Sequence, residues 1–187
     1  IGGAVLFAVF AIGASQIQVD NKLLDQLSEE DRVFQTTRLI EEKMQGIRSL
    51  EVEVYSERDW RMASRDVLAA MESVQAWASE QGGVTGTISP ADYLHEAWYL
   101  ATGNQRAREA EFPDRETVLE LASLYERSPR NPLDSYWADD VSRGRLTIRM
   151  EDIGAQATIQ FARELDARLA ESLGDLEHVD YRLTDEA

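Results

Sequence analysis

LEVEVY at residues 50–55 and RLTIRM at residues 145–150 decide the fold, because apolar and polar side chains alternate along both segments. Successive side chains of a β-strand point to opposite faces, so this alternation predicts two strands that each bury one face. Strands buried on both faces of a parallel sheet would instead read as continuous apolar runs. The two segments therefore favour a sheet that helices cover on one side only.

Helical segments alternate with strands along the rest of the chain. Helical periodicity predicts a helix over residues 60–81, and short strands are predicted over residues 84–88 and 179–183. A second long helix is predicted from its apolar face, which consists of Ile159, Ala162, Leu165, Leu169 and Leu173. The order of strand, helix, strand, insertion, strand, helix, strand favours an α+β fold of the ferredoxin-like (split βαβ) type.

Two capping patterns predict further helices. Ser28, followed by three acidic residues, predicts the start of a helix that ends near Gly46. The apolar face of this helix would consist of Val33, Thr37, Ile40 and Met44. Ser89 followed by Pro90 predicts a helix that continues to about residue 101, since proline suits the first helical position.

Residues 103–143 are the least regular part of the chain and are interpreted as an inserted helical and irregular lobe. Asp114 predicts the cap of a helix in this lobe. Aromatic residues concentrate in the lobe and just before it. They can pack the lobe onto the sheet, which is their more common role, or line a hydrophobic cleft. The candidates for lining a substrate cleft are Tyr93, Trp98, Tyr99, Tyr136 and Trp137.

Residues 1–14 contain no charged side chain, unlike the rest of the chain. A helix of this length rises only about 22 Å, which is less than the roughly 30 Å of a bilayer core. We interpret residues 1–15 as the end of a transmembrane helix and residues 16–187 as an α+β domain outside the cytoplasm. A cleavable signal peptide is the alternative, although no basic residue precedes the apolar run.

The charge of the chain limits its partners. The 187 residues include 35 acidic and 19 basic side chains, which give a formal net charge of -16. A nucleic-acid partner is excluded on this ground, because phosphates would be repelled. Arg143, Arg145 and Arg149 lie on the polar side of a predicted strand, either as charge balance or as an edge that faces a partner domain. The chain has no cysteine, so disulfides and thiol chemistry are excluded.

Residue types that support catalysis are present but scattered. His95 and His178 stand singly, on a helix and on the polar side of a strand, so no metal site is predicted. The acidic pairs at residues 139–140 and 151–152 could act as acid and base, but such pairs in an acidic chain are usually solvated. No nucleotide-binding or hydrolase motif occurs. We expect no catalytic, metal or cofactor-binding residues, and hence no enzyme.

Three segments together resemble a known family. They are IQVDNKLLDQLSEEDRVFQTTRLIEEKMQGIRSLEVEVYSE at residues 17–57, VTGTISPADYLHEAW at residues 84–98 and RGRLTIRMEDIGAQATIQFARELDARL at residues 143–169. In this order they resemble the second periplasmic porter loop of resistance-nodulation-division (RND) exporters, in the branch that includes MMPL-type and hopanoid-lipid exporters. The similarity covers nearly the whole chain.

The resemblance implies a porter domain in the periplasm, belonging to a proton-driven transporter of the bacterial inner membrane. Its partners would be the transmembrane bundle and the other periplasmic loop of the same protein, and a homo-oligomer is possible for such pumps. Family substrates are commonly lipids or other hydrophobic molecules. The proton-carrying residues of such pumps lie in membrane helices outside this sequence.

Two other functions fit the sequence. One is an extracytoplasmic ligand-binding or sensor domain of a membrane-anchored signalling protein, which would need a cytoplasmic output module. The other is a secreted hydrolase behind a signal peptide, which the lack of a nucleophile-base pair makes the weakest of the three.

Overall fold

A computed structural model describes residues 30–44, 48–103, 111–127 and 129–185, together with Ser28 and Gly46. These residues form an α+β domain with a four-stranded antiparallel sheet and five α-helices. The strands are β1 (Arg48–Tyr55), β2 (Val84–Ile88), β3 (Arg143–Met150) and β4 (Asp180–Asp185). The helices are α1 (Arg32–Met44), α2 (Arg65–Ser79), α3 (Pro90–Thr102), α4 (Arg115–Glu126) and α5 (Ala155–Leu173).

The predicted end of a transmembrane helix at residues 1–15 lies outside the described residues. Among the helices that the structure does describe, none has the length and apolar character needed to cross a membrane.

The sheet has the strand order β2-β3-β1-β4, and each neighbouring pair is antiparallel. Val52 of β1 lies opposite Leu146 of β3 on one side and Leu183 of β4 on the other. The alternating apolar residues of β1 and β3 are buried, and Arg143, Arg145 and Arg149 on the other face of β3 are exposed. The alternation in both deciding segments is therefore confirmed as two half-buried strands.

Helices α2 and α5 pack against each other and contribute to one hydrophobic core with the buried face of the sheet. Trp77 of α2 stacks on Phe161 of α5, with ring centroids 5.7 Å apart. The predicted face of α5 is right at Leu165, Leu169 and Leu173 but wrong at Ile159, which is 48% exposed. Phe161 is buried in its place, because the buried positions recur every four residues and Ile159 lies on the far side of the helix.

The two predicted caps differ in how well they place their helices. Ser89 caps α3 as predicted: its hydroxyl accepts from the amide of Ala91, and the Asp92 carboxylate accepts from the amide of Ser89. Helix α1 begins after Asp31 rather than at Ser28, because the Asp31 carboxylate accepts from the amide of Val33 at 2.8 Å.

Two residues of the predicted apolar face of α1, Val33 and Ile40, are not covered by the described part of the chain. Val33 is 58% exposed, Ile40 is 42% exposed, and neighbouring Leu39 is 54% exposed. The amphipathic pattern therefore forms the helix that it predicts, but the described residues do not provide the surface against which it would pack.

The described residues between α3 and β3 form α4 and a turn, followed by a short stretch that extends the sheet. The Asp114 carboxylate accepts from the amide of Thr117 at 3.1 Å, so the predicted cap of α4 is confirmed. Farther along, the amide of Arg145 donates to the carbonyl of Tyr136, and the amide of Ala138 donates to the carbonyl of Arg143. This stretch thus runs beside β3 where β2 has ended.

Replacing Leu165 with alanine should lower the free energy of unfolding by about 2–5 kcal/mol, because its fully buried side chain would leave a cavity. The control is Ile159→Ala on the same helix, which should change stability by about 0.5 kcal/mol or less since that side chain is already half in water. Urea unfolding followed by circular dichroism measures both. Equal losses in the two variants would contradict the packing of α5.

Candidate functional site

Two grooves of similar size lie on either side of residues 134–138. The first, which we call the sheet groove, has a volume of about 500 Å³ and lies on the polar face of the sheet. The second, the helix groove, has a volume of about 510 Å³ and lies toward α4. Asp134, Trp137 and Ala138 line both. The inserted region thus provides a wall that two grooves share.

The sheet groove is lined by charged side chains. Its main lining residues are Glu51, Glu53, Arg143, Arg145, Arg182 and Tyr136. Glu53 pairs with Arg182 and, at 3.7 Å, with Arg143, while Glu51 lies 3.8 Å from Arg145. Glu51 also accepts a hydrogen bond from the Thr147 hydroxyl at 2.8 Å. The glutamates are thereby fixed on the sheet while the arginines extend above them.

The helix groove combines an apolar floor with an acidic rim. Its apolar lining consists of Trp60, Leu119, Ala122, Leu133, Trp137 and Val141. Glu126 and Asp139 lie at its edge, and Leu133 and Val141 are nearly fully buried. A surface of this composition suits an apolar chain or ring, because burying such a group would release water from both surfaces.

The wall of the helix groove has a left-handed backbone at two large residues. Trp60 has a φ of 61° and Val141 a φ of 54°, a conformation that is costly for side chains of this size. The backbone amide of Trp60 donates to the carbonyl of Asp140, and the backbone amide of Met62 donates to the carbonyl of Val141. These bonds hold the two strained residues beside each other.

The left-handed backbone at Trp60 and Val141, which we call the corner, also shows that the prediction of one helix over residues 60–81 is wrong. Helix α2 begins only at Arg65, and Arg61–Ala63 forms a separate 3-10 turn. The apolar spacing extends back to Trp60, but the hydrogen bond from Trp60 to the strand corner at Asp140 turns the backbone out of the helix.

A bidentate ion pair supports the same corner. The Arg61 guanidinium donates to both carboxylate oxygens of Asp66, each at 2.7 Å. This hydrogen bonding lowers the pKa of Asp66 from its usual 3.8 to about 2. Arg61 also donates to the carbonyl of Glu177, and so it ties the turn to the residues that precede β4.

The five aromatic residues predicted to line a cleft lie in different surroundings. Tyr136 lines the sheet groove and Trp137 lines both grooves. Tyr93 lies behind them, with its ring 5.4 Å from that of Tyr136. Trp98 packs against the core, and Tyr99 is half-buried on α3. Neither Trp98 nor Tyr99 lines either of the two grooves.

Tyr93 takes part in packing as well. The Tyr125 hydroxyl donates to the carbonyl of Tyr93 at 2.9 Å, and the two rings meet edge to face. Burial raises the pKa of both tyrosines, so they stay neutral phenols. These contacts join α4 to α3.

The sequence pattern did not single out Trp60, whose place in the helix groove depends on the turn that interrupts the expected helix.

Of the two histidines, His95 lies on a helix as predicted and His178 does not lie in a strand. His95 is a buried residue of α3, with Nε2 3.0 Å from a Glu72 carboxylate oxygen and its ring against Phe112. His178 lies in the turn before β4, with a φ of 60°, rather than in a strand. In the described ranges, no three histidine or acidic side chains are grouped so that they could hold a metal ion.

The acidic pairs have separate structural roles. Asp140 accepts from the hydroxyl and the amide of Ser142, and these bonds lower its pKa. Asp152 accepts from the amide of Gly154 and pairs with Arg48 at 3.5 Å. Both carboxylates therefore fix turns next to β3.

No protein-family model and no curated protein sequence matches this chain.

The titration of Asp66 tests the corner that supports the helix groove. The midpoint of the titration should lie near pH 2, and Arg61→Met should move it toward 3.8, the ordinary pKa of an aspartate side chain. Because the pKa is lowered on folding, the stabilisation from this pair is complete above about pH 3.8 and is lost as the pH falls through 2. Carboxyl-carbon NMR measures the midpoint directly.

Asp114 provides the matched control for that titration. The pKa of Asp114 is lowered by the backbone amide and hydroxyl of Thr117 and not by Arg61. Its midpoint should stay unchanged in Arg61→Met. An unchanged Asp66 midpoint in the variant would contradict the bidentate pair.

Proposed function

We propose that this chain is a periplasmic porter domain of a proton-driven RND-type transporter in the bacterial inner membrane, which moves lipids or other hydrophobic molecules. In this proposal the domain binds and guides substrate without catalysis. Its partners are a transmembrane bundle and the other periplasmic loop of the same protein. The observation that carries the proposal is the apolar helix groove beside an open sheet face.

The strand order supports this assignment. Strands β1 and β2 run in the same direction with β3 between them, and β3 and β4 run together with β1 between them. With one α-helix connecting each of these pairs, the arrangement fits the ferredoxin-like type that the order of strands and helices in the sequence predicts. The inserted α4 and the following turn lie between β2 and β3, which leaves the strand pairing intact.

The composition of the helix groove supports a hydrophobic substrate. Trp60 is 45% exposed, so a large apolar surface is available at the groove. An acyl chain lying there would bury part of the Trp60 indole ring and of the Leu119 side chain, both of which are still partly exposed. At about 25 cal/mol for each Å² of apolar surface removed from water, such burial would be favourable.

Brominated fatty acid tests this groove, because bromine quenches indole fluorescence only at close range. The chain has four tryptophans, and Trp60 and Trp137 line the groove while the half-buried Trp77 packs against the core and stacks on Phe161. We expect saturable quenching of the unmodified chain by a bromine-labelled acyl chain. Trp60→Phe combined with Trp137→Phe should remove most of that quenching.

Trp77→Phe is the matched control, since its loss should leave the quenched fraction intact or larger. Quenching that is insensitive to the Trp60 and Trp137 replacements would contradict acyl-chain binding in the helix groove. Transport itself is tested in the complete reading frame: proton-driven movement of lipid between vesicle leaflets supports a porter. Ligand binding linked to a cytoplasmic output module, without transport, would identify a sensor instead.

A further inference from the structure

The arginines of the sheet groove are the first groups that an incoming ligand would meet. The side chains of Arg143, Arg145 and Arg182 are 62%, 55% and 61% exposed. The side chains of Glu51 and Glu53 beneath them are only 13% and 23% exposed. The arginines are therefore more exposed than the two glutamates beneath them, although Glu51, Glu53 and Asp134 together equal the three arginines in number.

Two of these arginines retain unused hydrogen-bond donors. Arg143 lies 3.7 Å from Glu53 and Arg145 lies 3.8 Å from Glu51, distances that allow attraction but exceed a hydrogen bond. Each guanidinium carries five N–H donors in a planar fork that matches the oxygens of a carboxylate or phosphate. Within the described residues, neither guanidinium donates a hydrogen bond, so both forks can serve a ligand.

The register of the sheet holds the arginines close to one another. Arg145 of β3 and Arg182 of β4 both lie opposite Glu53 of β1, one on each side. Arg143 precedes Arg145 by two residues and lies on the same face of β3. Neighbouring strands lie about 4.8 Å apart, so side chains as long as arginine can converge above the central strand.

The three arginines of the sheet groove lie together on a chain that is strongly acidic as a whole. The formal net charge of -16 repels anions from most of the protein. Cations retained on one face, above partly shielded carboxylates, create a local site at which an anion is attracted. The Asp134 carboxylate at the edge accepts from the Asn131 side-chain amide at 2.6 Å, which fixes it there.

We infer that the sheet groove binds an oxyanion, a phosphate or carboxylate group, through the guanidinium groups of Arg143 and Arg145 with Arg182 beside them. The ligand is either a free anion or the headgroup of an amphiphile, since both present the same oxygens. The anion site does not depend on the proposed transport function, because its three arginines line the sheet groove and not the helix groove.

NMR titration of the arginine Nε–H signals tests the site on the 187-residue chain. Inorganic phosphate at low ionic strength should give saturable shifts at Arg143 and Arg145, with a Kd of about 1 mM. Arg143→Gln combined with Arg145→Gln should weaken binding by about tenfold or more, because it removes charge-assisted hydrogen bonds. Sodium chloride at matched ionic strength is the reference titration.

Two further variants separate binding from a general charge effect. Arg163→Gln on the exposed side of α5 removes the same charge elsewhere and should leave the Kd unchanged. Glu53→Gln removes a carboxylate that competes for Arg143 and Arg182, and it should tighten phosphate binding severalfold. A purely structural ion-pair network would not gain affinity in this way.

Hexyl phosphate distinguishes the two sources of the anion. Tighter binding of hexyl phosphate than of inorganic phosphate indicates an amphiphile headgroup, and equal binding indicates a free anion. Either result supports the site if the variant with both Arg143→Gln and Arg145→Gln loses this binding. Shifts that do not saturate, or that are the same in the unmodified chain and the double variant, would overturn the inference. Loss of acyl-chain quenching alone would affect only the proposed function.

Discussion

The antiparallel pairing of β1 with β3 is the constraint on which the rest of the structure depends. Its register sets Val52 opposite Leu146 in the core and Glu53 opposite Arg145 on the polar face. A slip by one residue would turn the apolar side chains to water and the two glutamates into the core, where unpaired charges are very costly. One register therefore fixes both the core and the charged groove at once.

The same pairing positions the groove walls. Beyond Tyr55, the amide of Ser56 donates to the carbonyl of Ser142, and the left-handed corner at Trp60 and Val141 follows directly. On the other side of β3, the backbone of Arg143 and Arg145 holds residues 136–138. Both grooves are thus built on the end of one strand, and they meet at Trp137, whose indole N–H has no partner among the described atoms. The end of β3 thus places the charged sheet groove and the helix groove side by side.

Local patterns predicted most of the fold because they depend on nearby residues. The alternation in β1 and β3 and the caps at Ser89 and Asp114 are set within a few positions, and all are confirmed. The grooves were not predictable, since they depend on contacts between distant residues: Thr147 and Glu51 are 96 positions apart. The expected helix from Trp60 failed for the same reason, because a distant carbonyl redirects its backbone. The predicted aromatic cleft residues Tyr136 and Trp137 lie at the grooves, but Trp98 does not, since helical spacing alone cannot tell core from groove.

The stretch at residues 136–138 also covers part of the edge of the sheet. Strand β2 is shorter than β3, so part of the β3 edge would otherwise present unpaired amides and carbonyls. Hydrogen bonds from residues 136–138 occupy that edge. Exposed strand edges recruit strands from other chains and start aggregation. The inserted region therefore also hinders the pairing of this strand edge with other chains. This protection would persist even in a variant whose grooves bind no ligand.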